Sequence, residues 1–210
     1  IVVAGLASSM DAALLVSLGV ALPIWASTFH LNSWLVGIVS TLLTVAVAVG
    51  SLCGGWLSDR FGRVTVFNFD ILFVGVGAWL IAIAHSFPVL MTGVIIAGLA
   101  SGADLPTSLA VISERVPKAV YGRAITLTQM FWSIGILLSQ FLGFLTATAG
   151  MGSPLTLFGF IGTVALLNWA VRIFSKRLRA IEEAPRPADQ IEADEPADKH
   201  YKLGALLKNS

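Results

Sequence analysis

The sequence predicts an all-α membrane protein of six spans, paired as three helical hairpins. Three observations carry this. Residues 1–59, 64–114 and 124–171 contain no Lys or Arg at all. Each stretch is continuously apolar, with a turn-like break near its middle. A bilayer core about 30 Å thick takes about 20 residues of helix, so each stretch holds two crossings. The third observation is where the 13 basic residues fall: Arg60, Arg63, Arg115, Lys118, Arg123, and then Arg172 onward. Lys and Arg gather on the cytoplasmic side of membrane proteins. Both ends of the chain are therefore expected inside, with short uncharged connections outside.

The spans are placed at about residues 1–25, 34–57, 65–84, 88–112, 124–147 and 154–174, as one six-helix membrane domain over 1–174. A β-barrel would need alternating polarity in segments of about 10 residues, and these runs do not alternate. Trp25 and Trp34 flank the first outer connection, where an aromatic belt is expected. Pro88 and Pro154 suit helix starts, where a missing N–H does no harm. Ala46, Gly50 and Gly54 lie four apart on the second span, and Gly98 and Gly102 do so on the fourth. Such small-residue faces let helix backbones approach closely in lipid. Residues 175–210 change character. They open basic, turn acidic and Pro-containing, and read as a solvated cytoplasmic linker. The apolar run near Leu206 resembles the approach to another membrane segment.

Composition excludes several classes. Hydrophobic residues make up 56% and charged residues 12%, against roughly 25% charged in soluble domains. No basic stripe marks a nucleic-acid partner. No metal cluster, nucleophile–base pair or phosphate loop appears, so neither an enzyme nor a cofactor is expected. His30, His85 and His200 fall in separate loops, and Cys53 is a lone cysteine.

Three motifs carry a resemblance. Gly55-Trp56-Leu57-Ser58-Asp59-Arg60-Phe61-Gly62-Arg63, between spans two and three, matches the G-x-L-x-D-R-x-G-R signature of the major facilitator superfamily. Glu114-Arg115-Val116-Pro117, followed by Tyr121-Gly122-Arg123, resembles the E-x-x-P-x-x-x-R-G-R segment of sugar porters and related metabolite:proton symporters, with Tyr121 in place of the first arginine. The run from Gly98 to Pro106, with Phe69-Asp70, looks most like the metabolite:proton symporter branch. The resemblance implies one half of a major facilitator fold, the N-terminal six helices of a twelve-helix transporter whose partner is a C-terminal six-helix half. It further implies a switch motif at Gly55, Asp59, Arg60, Gly62 and Arg63. A cytoplasmic charge network is expected to hold Glu114, Arg115 and Arg123, joined by Asp70 near the inner surface.

Three carboxylates lie inside apolar spans: Asp11, Asp70 and Asp104. An intramembrane acid is costly unless it faces water, a partner or a proton. Asp11 resembles the first-span acid that proton-coupled sugar porters protonate. Those porters pair it with an arginine early in span four, where this chain has Val94. Asp104 offers a second protonation site. On span five, Gln129, Trp132, Ser133, Ile136 and Gln140 share one helical stripe. Gln129 resembles the sugar-contacting glutamine of that family, and Trp132 and Gln140 extend the same stripe. The function expected is secondary transport of a small polar organic metabolite across the cell or inner membrane, by proton-coupled symport. Two other readings remain open: an organic-cation transporter using Asp11 and Asp104 as charge sites, and a non-transporting six-helix membrane protein.

Overall fold

The computed structural model describes residues 2–148 and 154–174. Six helices account for nearly all of them: α1 Val2–Thr28, α2 Ser33–Phe61, α3 Arg63–Ala82, α4 Phe87–Arg115, α5 Lys118–Thr148 and α6 Pro154–Phe174. Each is long and apolar enough to cross a membrane. Helices are the natural outcome, because lipid offers no partner for an unpaired backbone N–H or C=O. The expected linker at 175–210 lies outside the described residues.

The connections follow local chemistry. Asn32 caps α2, its side chain accepting from the Leu35 N–H at 2.9 Å. Ser86 precedes α4 in extended backbone, with Pro88 in the first turn. Between α2 and α3 the turn is a single residue. Gly62 has φ 91°, a conformation that side chains disfavour, and its N–H bonds back to the Ser58 carbonyl at 3.1 Å. This corrects the loop expected at 55–63. Gly55 to Phe61 continue α2 as helix, and only Gly62 breaks it. Likewise Glu114 and Arg115 complete α4, while Tyr121 to Arg123 open α5. Interfacial charge does not end a helix whose backbone bonds are already made.

Packing runs α2 on α4, α4 on α3, α3 on α6, α6 on α1 and α1 on α5. The two glycine-bearing stripes meet each other. A Cβ on Gly54 would lie 2.5 Å from that of Ala103, and one on Gly98 2.9 Å from that of Ala46. Gly50 abuts the Leu99 carbonyl, and Gly102 the Val47 carbonyl. The α1–α5 seam repeats the device. Gly135 packs on the Ser9 carbonyl, and Ser17 and Ser139 bond at 2.7 Å. Gly162 against Trp79 does the same for α3 and α6.

Leu14, Leu18, Val74, Leu90, Val94 and Phe158 form the apolar centre. Trp25 belongs to it. It is buried and stacks on Phe158 with centroids 5.5 Å apart, so it is a core ring rather than a belt residue. Trp34 is the exposed one of the pair. The least enclosed helices are α2 and α5. They show Leu52 and Trp56, and Leu137, Phe141 and Phe144, to the outside.

Candidate functional site

The site is a row of four buried ionisable side chains, one from each of α1, α4, α3 and α6. Asp11 is 1% exposed, Asp104 4%, Asp70 4% and Arg172 1%. Each lies on the buried stripe of its own helix. Asp11 falls in phase with Ala7, Leu14 and Leu18, and Asp104 with Ala97, Ala100 and Ser101. Asp70 stands with Phe67, Ile71 and Val74, and Arg172 with Ile161, Ala165 and Asn168.

The α1–α4 end is a direct contact. The Ser101 hydroxyl donates to Asp11 Oδ1 at 2.8 Å. No N–H or O–H donor among the described residues reaches Asp11 Oδ2; besides Ser101, the carboxyl of Asp104 faces Asp11, and the charge of Asp70 also acts on it. Asp104 stands in the middle, within hydrogen-bonding range of both Asp11 and Asp70. An ionised carboxylate only accepts, so a carboxyl–carboxyl hydrogen bond must hold a proton. Pro106, two residues on, cannot donate to the Gly102 carbonyl, which loosens the helix beside the acid.

At the α3–α6 end, Arg172 is fixed from two sides. Its Nη1 donates to the Phe67 carbonyl at 3.1 Å, and its guanidinium lies 4.0 Å from the Phe67 ring centre. From there its charge acts on both Asp70 and Asp104. Asp104 is the group that interacts with all three others. Among the described residues no three His, Cys, Asp or Glu side chains are grouped to hold a metal ion.

Two expectations change here. Asp70, seven residues past Arg63, is expected from sequence in the cytoplasmic network. The structure turns it inward, where Asp104 and Arg172 act on it. Helical phase decides this, since Asp70 shares a face with Ile71 and Val74. Arg172, in sequence the first of the trailing basic residues, is the largest fully buried side chain among the described residues.

The other named residues do not join the row. Gln129 and Gln140 are exposed on α5, and Trp132 is half-buried beside the face that packs on α1. No hydrogen bond among the described residues links them to the acids. At the α2–α3 turn, Asp59 and Arg63 pair at 3.6 Å and Arg60 sits 5.5 Å over Trp56. Exposed pairs of this kind contribute about 0–1 kcal/mol, weak enough to be exchanged for other partners. Arg123 is exposed at the start of α5; the side chains of Glu114 and Arg115 lie outside the described residues. A groove of about 760 Å³ between α2, α3 and α4 is lined by Val49, Cys53, Phe69, Phe73 and Leu99, with Asp70 at its edge. Its apolar wall offers a polar solute almost no hydrogen bond.

Residues 1–209 match the family model described as Major Facilitator Superfamily. The chain belongs to the major facilitator superfamily. Among facilitators it is 30% identical over 198 residues to the minor myo-inositol transporter IolF of Bacillus subtilis (strain 168), covering 93% of this chain and 45% of that protein. It is 33% identical over 120 residues to the niacin transporter NiaP of Acinetobacter baylyi, covering 57% and 26%. The chain thus spans less than half the length of these relatives. Its fold matches the proton:xylose symporter XylE at a TM-score of 0.74 and 18% identity, over 83% of this chain and 43% of that one. The six helices are one half of the facilitator fold in an integral membrane protein.

Proposed function

We propose that this chain is the N-terminal half of a secondary transporter that moves a small polar organic metabolite together with protons, by alternating access against a C-terminal six-helix half. The observation that carries this is the Asp11–Asp104 contact on α1 and α4. Two carboxyls at hydrogen-bonding range inside a membrane are costly as fixed charges but well suited to binding and releasing a proton. The exposed amides Gln129 and Gln140 on α5, with Trp132 between them, offer hydrogen bonds and a ring to the solute. The less enclosed faces of α2 and α5 are where the second half docks. Arg60, Arg63 and Arg123 mark the cytoplasmic face, and the Asp59–Arg63 pair belongs to the conformational switch.

A cation carrier is the less favoured reading, because Arg172 already sets a positive charge against the acid row. The test uses the parent transporter in proteoliposomes, with myo-inositol and nicotinate as probes. An inward proton gradient should drive accumulation that a protonophore abolishes. Accumulation of tetraethylammonium, unaffected by the protonophore, would favour the cation reading instead.

A further inference from the structure

Along α1 and α4 the only Lys or Arg is Arg115, the last residue of α4, eleven residues beyond Asp104. Position 94 of α4 is valine, fully buried in the apolar core. The positive charge reaches the row from the far side of the bundle, through Arg172 on α6. We propose that Arg172 and Asp70 are positioning residues of the proton site: Arg172 neutralises Asp70, which leaves Asp104 to share one exchangeable proton with Asp11. This deepens the reading of Asp11 and Asp104 as the proton pair and rests on it.

Charge counting shows the need. Fully ionised, three carboxylates and one guanidinium leave the row two negative charges in excess, with every member buried. Uncompensated buried charge is strongly disfavoured. With Asp70 matched by Arg172, only the Asp11–Asp104 pair is left to balance. One proton held between those two carboxyls makes a hydrogen bond and leaves a single negative charge; a second proton cancels it. The row then alternates between one negative charge and none, and its titration belongs to the row as a whole. Without Arg172, Asp70 would compete with Asp11 for the proton on Asp104.

The geometry supports a fixed counter-charge. The Phe67 carbonyl and ring hold the guanidinium on α3, at a residue one helical turn before Asp70. Both Asp70 oxygens lack any N–H or O–H donor among the described residues, so Asp104 and the field of Arg172 are what they face. Among the described residues, no other charged group is buried on the remaining helices. The buried residues of α2 are Val39, Ala46, Gly50, Gly54 and Ser58, and the buried polar groups of α5 are Thr128 and Ser139.

Infrared spectroscopy of the carboxylic-acid C=O stretch, followed against pH on the protein in lipid nanodiscs, tests this without a solute. A titrating band should appear, and Asp11→Asn or Asp104→Asn should each remove it. Arg172→Gln should move its midpoint to higher pH by about one unit or more, as loss of a neighbouring cation requires. Arg172→Lys should stay near wild type, and Asp70→Asn/Arg172→Gln should return toward it. The double variant also keeps the test open if Arg172→Gln alone does not fold. A midpoint unmoved by Arg172→Gln, or a double variant as displaced as the single one, overturns the role of Arg172. Absence of any titrating band, or a band that survives both Asp11→Asn and Asp104→Asn, overturns the proton-pair reading beneath it.

Discussion

Replacing Arg172 by leucine is expected to remove about 3–5 kcal/mol of stability, the usual cost of breaking a buried charge pair from one side. The substitution strands Asp70, whose oxygens have no N–H or O–H donor among the described residues to fall back on. It also strips the Phe67 ring of the guanidinium 4.0 Å away. Asp70→Asn/Arg172→Leu should recover most of the loss, because an amide in place of the carboxylate no longer needs a counter-charge. Thermal unfolding of the purified protein in mild detergent reads both variants. A double variant no more stable than Arg172→Leu alone would show that packing, not charge, makes Arg172 matter.

Leucine at Gly50 should destabilise the α2–α4 seam by about 1–3 kcal/mol or more. The Cβ it introduces points at the Leu99 carbonyl, a backbone atom that moves only if the helices separate. Lipid tails solvate leucine as well as a neighbouring helix does, so close packing rather than apolar transfer holds such seams. Gly55 is the control. A Cβ there meets nothing within 4 Å, and alanine should be neutral or stabilising by up to about 1 kcal/mol. Equal unfolding temperatures for Gly50→Leu and wild type would contradict the seam.

The fold was legible because lipid makes hydropathy and the placement of Lys and Arg nearly decisive. The small-residue stripes of α2 and α4 were visible at their four-residue spacing, and the structure packs them together. Helix ends were less legible. The continuation of α2 to Phe61 through Asp59 and Arg60 depends on Gly62 alone, and polarity gives no hint of it. The site was half legible. Asp11 and Asp104 stood out as acids in apolar runs, but Arg172 was lost in a basic tail. Its phase was the missed signal: it continues the Ile161, Ala165, Asn168 stripe, and Asp70 continues that of Phe67. Reading helical phase for charged residues at span ends would have found both. The α5 stripe stands differently. Gln129 and Gln140 share a face, but what that face meets depends on the proposed second half, which no residue of these six helices reveals.

The most direct measurement concerns the Asp11–Asp104 pair, made on the parent transporter carrying Asp11→Asn or Asp104→Asn. Each variant should lose proton-gradient-driven accumulation of myo-inositol or nicotinate yet keep exchange of labelled for unlabelled solute, which needs no net proton movement. Accumulation at the wild-type level in both variants would contradict the assignment of the transported proton to this pair.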